Sequence, residues 1–232
     1  ITYDTLFSAY SEQISALIDG GVDALLIETI FDTLNAKVAI DAAVCEMTKK
    51  RVELPLMLSV TVSDIAGRTL SGQTLDAFLA SISSYPIFSV GLNCSFGAVQ
   101  MKPFLRELAE KAPYYISVYP NAGLPDVMGN YDETPENMAA HIGEFVDEGL
   151  VNIIGGCCGT TDEFIARYVP IVAGKQPHIP VACPATMWLS GLELLDVTPD
   201  VRFVNVGERC NVAGSRKFLR LINEKQYDEA IS

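Results

Sequence analysis

Five apolar, β-branched runs recur along the chain at intervals of about 30 residues, the length of one strand–helix unit, and this spacing limits the available folds. Amphipathic stretches separate the runs, and buried strands that alternate with helices pair in parallel. The pattern predicts an α/β fold, and a (β/α)8 TIM barrel of about 250 residues allots this much chain to each unit. The runs start at Val22, Leu56, Ile87, Tyr114 and Val151.

Five units are too few to close an eight-stranded barrel. We therefore predict a partial barrel of about five βα units over residues 1–173, and we expect the first three strands to lie upstream of Ile1.

The composition changes after Gly174, where prolines punctuate a stretch without helical periodicity. We interpret residues 174–200 as an interdomain linker. Residues 201–232 then begin with a β-like run from Arg202 to Val206, and a helix is expected from about Ser215. This segment is predicted to be the first unit of a second α/β barrel.

An excess of acidic residues narrows the possible partners. The chain has 29 Asp and Glu against 16 Lys and Arg, a net charge of −13. Such a surface repels phosphate backbones and anionic lipids, so we expect neither a nucleic acid nor a membrane partner. The chain also lacks an apolar run of the ~20 residues that span a bilayer, and its start has no signal-peptide pattern. We expect a cytoplasmic protein.

Three of the six cysteines follow predicted strands at the end where parallel α/β proteins place their sites. Without a secretory pattern, six cysteines indicate free thiols or a thiolate metal site rather than a disulfide framework. Cys94 follows the third strand, and Cys157 and Cys158 follow the fifth. Zinc prefers thiolate ligands, and three of them leave a fourth position open.

Several other interpretations of these cysteines remain open. Cys94 alone is more typical of a small core residue than of a ligand. The glycine-rich turn 155–160 could instead cradle an anion at the start of a helix, where Thr160 and Glu163 have the spacing of a capping box. Adjacent cysteines could also form a redox pair, although only through a strained disulfide.

Glu28 and Asn93 also come at predicted strand ends. Glu28 could form a structural ion pair at the rim or bind a substrate ammonium group. Asn93 could be a turn residue or could hydrogen-bond near a metal ion, and its spacing alone favours the turn.

A zinc ion bound by three thiolates would suit one kind of chemistry. The thiolates outweigh the charge of Zn²⁺, so the ion polarises carbonyl groups poorly. It can still hold an incoming thiol as a thiolate at neutral pH. Such a site activates a sulfur nucleophile rather than water.

The cysteine motifs resemble those of the zinc-dependent homocysteine methyltransferase family. The resemblance rests on Gly91–Cys94 and Gly155–Thr160, supported by Ile27–Thr29 and Ser71–Thr74. It implies zinc bound by the three cysteines of the two motifs. It further implies homocysteine bound through sulfur to zinc, with Glu28 near the amino group and Asn93 as a second substrate-binding residue. No catalytic side chain beyond the metal site is predicted.

The tail Phe203–Val212 resembles the opening of the pterin-binding domain of cobalamin-dependent methionine synthases, which narrows the choice within the family. The resemblance implies methylcobalamin on another module as the methyl donor, methyltetrahydrofolate as its source, and Asn211 as a folate-binding residue. Two alternatives remain. One is a homocysteine or thiol methyltransferase that uses a betaine or sulfonium donor, and the other is a non-catalytic zinc-binding module.

Overall fold

A parallel five-stranded sheet forms the centre of the computed structural model, which describes residues 2–183, 185–205, 207 and 210–231. Each strand pairs with the next strand along the chain, so the order in the sheet equals the order in the sequence. This confirms the predicted α/β fold with repeated strand–helix units, and it fits a partial TIM-barrel-like domain. The strands are β1 (Leu25–Ile30), β2 (Leu56–Val60), β3 (Ser89–Asn93), β4 (Tyr115–Tyr119) and β5 (Ile153–Ile154).

Helices precede the first strand and follow each strand of the sheet. Four of them begin at an N-cap whose side chain accepts a hydrogen bond from the third helical amide: Thr2, Asp32, Thr74 and Thr134. Within the described residues, no helix combines the length and apolarity needed to cross a bilayer. The helices are α1 (Tyr3–Asp19), α2 (Thr33–Lys50), α3 (Leu75–Ile82), α4 (Ala98–Lys111), α5 (Pro135–Asp147) and α6 (Asp162–Val172).

The two faces of the sheet differ in the size of their side chains. Leu58, Val90 and Ile116 are fully buried in the hydrophobic core. Side chains alternate between faces along a strand, so Ser59, Gly91 and Ser117 point the other way. The register sets these three small residues side by side across β2, β3 and β4.

Gly91 has no room for a side chain, and this predicts a contrast with a second glycine. A Cβ at Gly91 would lie 2.0 Å from Ser117 Oγ and 2.2 Å from its carbonyl oxygen. Gly91→Ala should therefore lower the free energy of unfolding by about 3 kcal/mol. At Gly143, inside α5, the nearest atom to a Cβ is 3.9 Å away, so Gly143→Ala should raise it by about 0.5–1 kcal/mol. Urea unfolding of the two variants checks this, and equal effects would contradict the packing argument.

Residues 174–200 are more ordered than the linker prediction implied. They contain β6 (Met187–Ser190) and β7 (Leu194–Val197), which form a two-stranded sheet. Ser190 donates to the carbonyl oxygen of Ala77 in α3 at 2.7 Å, and the amide of Thr74 donates to Leu192 at 3.0 Å. The sequence of residues 174–200 lacks helical periodicity, and short strands packed on a helix account for that pattern as well as a linker does.

The chain divides into a larger compact unit, residues 1–196, and a smaller one, residues 197–232. In the smaller unit, Ser215 caps α7 (Arg216–Asn223), as predicted, and α8 (Tyr227–Ala230) follows.

The strand predicted at Arg202–Val206 is absent from residues 201–205, and Val206 lies outside the described residues, as do Glu208 and Arg209 of the tail motif. Among the described residues, 201–205 pair with no strand, and an unpaired strand is not stable alone. The second barrel therefore stays a prediction.

Candidate metal centre

Three sulfur atoms meet at the carboxyl edge of the sheet, as the sequence predicted. Cys94 follows β3, while Cys157 and Cys158 follow β5, the next strand but one. The Sγ of Cys158 lies 3.8 Å from that of Cys94 and 3.9 Å from that of Cys157. All three sulfurs lie within 4.8 Å of one another.

The separations of the sulfurs fit a tetrahedral zinc ion. With zinc–sulfur bonds of about 2.3 Å and tetrahedral angles, two thiolate ligands stand about 3.8 Å apart. The separations of the Cys158 sulfur from the other two, 3.8 and 3.9 Å, match this value. Three sulfurs can occupy three corners of a tetrahedron and leave the fourth for another ligand.

The backbone at Cys94 is strained in a way that places its side chain. Cys94 and Ser95 have φ angles of 62° and 60°, a left-handed conformation that costs non-glycine residues energy. The amide of Cys94 donates to the carbonyl oxygen of Tyr119 at 3.2 Å, which fixes the turn against β4. Consecutive residues of this kind are typical of sites where the surrounding structure enforces the geometry.

The turn 155–160 is closely packed at its glycines. A Cβ at Gly159 would lie 2.4 Å from Cγ of Tyr131, and φ at this glycine is +80°. The predicted capping box is not formed, because Thr161 is the N-cap of α6 and makes no side-chain cap bond. The hydroxyl of Thr160 donates instead to the carbonyl oxygen of Cys157 at 2.7 Å.

Several amides of this turn bond within the protein, which weakens the anion-cradle interpretation. Cys157 N–H donates to Pro120 O at 2.9 Å, and Thr160 N–H donates to Cys157 O at 3.1 Å. Cys158 N–H donates to Oδ1 of Asn121 at 3.1 Å. These donors are not directed at a ligand. All three cysteines are free thiols.

Asn121 and Tyr131 belong to the site, although the sequence analysis predicted no role for either residue. Asn121 is buried, and its backbone N–H donates to the carbonyl oxygen of Phe96 at 3.1 Å. Because its side-chain oxygen accepts from Cys158, it joins the loops that carry Cys94 and Cys158. Its position directly after a strand was the available signal. Tyr131 lies in the loop before α5, where no pattern marked it. Burial raises the pKa of its hydroxyl, and a hydrogen bond with Cys158 raises it further.

Burial also opposes the ionisation of the Cys157 thiol in the absence of a metal ion. It raises the pKa of Cys157 to about 11, and the neighbouring Cys158 and Cys94 add to the shift. The side chain of Asn93 acts against it by hydrogen-bonding to the sulfur. A bound cation would favour the thiolate form of Cys157 and offset the repulsion between neighbouring thiolates.

Glu28 lies within β1 and not after its end, contrary to the prediction. The pairing of β1 with β2 is irregular between Ile27 and Ile30, and Thr29 in this bulge has a φ of 56°. Glu28 is exposed, and its Oε2 lies 3.4 Å from Nδ2 of Asn93.

Asn93 is the last residue of β3 and is fully buried, so it is not a turn residue. Its Nδ2 lies 3.8 Å from the sulfur of Cys157. The structure therefore brings Glu28, Asn93 and the cysteines together. That Glu28 and Asn93 bind substrate stays a prediction.

Asn211 belongs to the smaller unit. Its Oδ1 accepts a hydrogen bond from Ala213 at 2.9 Å and caps a short 3-10 helix, Val212–Gly214. The predicted folate contact of Asn211 stays a prediction.

Comparison with known proteins gives two findings. A family model described as homocysteine S-methyltransferase matches residues 1–172. Among solved structures, the chain is similar to the homocysteine methyltransferase MmuM from Escherichia coli in its metallated form, with a TM-score of 0.55 and 22% sequence identity. That match covers 72% of this chain and 51% of the other, so the chain spans about half the length of the solved structure. At this identity the structural match shows a common fold.

Proposed function

Since the chain belongs to the homocysteine S-methyltransferase family, we propose that its cysteine cluster binds zinc and that the protein transfers a methyl group to the sulfur of homocysteine. The observation that carries this proposal is the cluster of three sulfurs within 4.8 Å of one another, in which both measured distances from the Cys158 sulfur match tetrahedral thiolate coordination. Cys94, Cys157 and Cys158 are the proposed ligands.

The open fourth position explains how such a site would select its chemistry. Bound zinc would keep the homocysteine sulfur deprotonated at neutral pH. In the transfer, a carbon–sulfur bond forms while the bond between the methyl group and its donor breaks. The electron pair of that bond remains with the donor, and the thiol proton goes to solvent.

Glu28 is the proposed partner of the homocysteine ammonium group. Its carboxylate is exposed at the rim and lies close to Asn93, which also contacts Cys157. The metal-binding group contains only cysteines among the described residues, so Glu28 remains available for substrate. An ion pair to the ammonium group would orient homocysteine with its sulfur toward the cluster.

The proposed donor is methylcobalamin on another module, replenished from methyltetrahydrofolate, with methionine as the product. This part of the proposal is supported by the resemblance of residues 203–212 to the start of a pterin-binding domain, where Asn211 would contact the folate. The proposed partners are homocysteine and the cobalamin and methyltetrahydrofolate modules.

A donor assay on the full-length, zinc-loaded protein tests the function. We expect methionine from homocysteine with methylcobalamin, and no methionine with a betaine or a sulfonium compound alone. Methionine formed from either of these would overturn the cobalamin proposal and retain the methyltransferase. If zinc is bound but no donor supports transfer and homocysteine does not bind, the protein is a non-catalytic zinc module.

A further inference from the structure

Asn93 lies at the centre of the site with its side-chain amide completely enclosed by protein. Its exposed fraction is 0%, although it stands at the carboxyl end of β3 among the loops of the metal centre. A buried amide that is not hydrogen-bonded costs free energy, so the partners of its oxygen and nitrogen indicate its role.

The oxygen of this amide has two acceptor positions, and both are taken. Ser59 Oγ donates to Asn93 Oδ1 at 2.8 Å, and the amide of Thr29 donates to the same atom at 3.1 Å. These bonds join β3 to its neighbour β2 and, beyond β2, to the bulge of β1.

The nitrogen has two N–H groups, and it too is directed at protein atoms. Nδ2 donates to Thr29 Oγ1 at 2.9 Å. It also faces the sulfur of Cys157 at 3.8 Å and Glu28 Oε2 at 3.4 Å. No hydrogen-bonding position of the amide is left for a substrate.

We propose that Asn93 is a positioning residue, whose saturated amide fixes the Cys157 sulfur and the Glu28–Thr29 bulge relative to one another. The inference rests on the proposed function for what the site binds. It replaces the predicted direct contact between Asn93 and homocysteine with an action through the residues around it.

The conformation of Thr29 explains why such a residue is needed. Thr29 is held at a φ of 56°, which is unfavourable for a β-branched residue, and Asn93 binds both its amide and its hydroxyl. The same amide donates toward Cys157, and hydrogen bonds to metal-binding groups orient them and adjust their basicity. One side chain therefore sets both the sulfur and the neighbouring carboxylate.

The test compares Asn93→Asp with Asn152→Asp in the full-length protein. Asn93→Asp keeps the shape and the acceptor but removes the N–H groups. Asn152 is the matched control, because its amide also bonds only to protein, accepting from Ile116 N at 2.8 Å and donating to His178 O at 2.7 Å. Neither of these bonds involves a cysteine, so Asn152→Asp should disturb the local structure without affecting the metal centre.

Three quantities are measured for each variant. They are the thiolate-to-cobalt charge-transfer band after zinc is replaced with Co²⁺, the zinc affinity by chelator competition, and the homocysteine affinity by calorimetry. For Asn93→Asp we expect the band at longer wavelength, because the sulfur loses a donor and meets a negative charge. Zinc affinity should fall about tenfold or more, as for other hydrogen-bond partners of metal ligands. Homocysteine affinity should fall with it, while Asn152→Asp leaves the band and both affinities unchanged.

Two outcomes would overturn the proposal. One is a wild-type band and wild-type zinc affinity in Asn93→Asp. The other is an unchanged band with homocysteine binding lost, which would show a direct substrate contact. Should Asn93→Asp fail to fold, Ser59→Ala decides, because it removes one partner of the amide: a smaller shift of the band in the same direction supports positioning, and no shift rejects it. If the wild-type protein does not bind homocysteine, the proposed function fails, while the band shift still reports on Asn93.

Discussion

Full-length protein carrying Cys157→Ala or Cys158→Ala should retain almost no zinc after dialysis, whereas the wild-type protein should hold a single ion in this domain. The three sulfurs lie within 4.8 Å of one another, and removing any of them leaves two protein ligands. Structural and catalytic zinc sites in proteins use at least three. Elemental analysis with chelator competition measures the loss.

Cys45→Ala is the matched control for this experiment. Cys45 is also a free thiol, but it lies in α2 and outside the cluster, so its removal should leave zinc content unchanged. Full retention of zinc in both Cys157→Ala and Cys158→Ala would rule out the proposed ligand set.

Glu28→Gln should weaken the binding of homocysteine about 10- to 100-fold while zinc content stays at the wild-type level. A hydrogen bond to a charged group contributes about 1.5–3 kcal/mol, and the neutral amide cannot replace the ion pair with ammonium. Calorimetric titration of the zinc-loaded protein with homocysteine measures the change.

Glu53→Gln makes the same chemical change at the opposite end of the sheet. Glu53 is exposed just before β2 starts, so this variant should bind homocysteine normally. Loss of zinc from Glu28→Gln with unchanged affinity in zinc-loaded protein would show that Glu28 serves the metal and not the substrate.

The order of strands and helices could be predicted from the sequence, but the first and last strands of the sheet were both predicted to start too early. The first was expected from Val22 and starts at Leu25, because its pairing begins where Leu25 meets Leu56 of β2. The last was expected from Val151 and starts at Ile153. There the side chain of Asn152 takes the amide of Ile116 that a longer ladder would use. Hydrophobic patterns do not show which residues find a partner strand.

The cysteine cluster was predictable for a simple physical reason. In a parallel sheet all strands end at the same edge, so residues that follow separate strands come together. The bulge at Thr29 and the hydrogen bond that Cys158 N–H donates to Asn121 were not predictable, because they depend on contacts between segments far apart in the chain. The partners of Asn93 belong to the same class: only the folded sheet shows that its amide is fully used.

The positions of the three sulfurs along the chain have a consequence for folding. Cys94 and Cys158 are separated by 64 residues, and the chain between them contains α4, β4, α5 and β5. An ion bound to both sides would act as a removable crosslink that closes this long loop and lowers the entropy of the unfolded chain. Loss of the metal ion would then favour unfolding of the whole segment between Cys94 and Cys158, and not only of the two turns that carry the cysteines. Under denaturing stress, these elements would unfold together when the ion leaves.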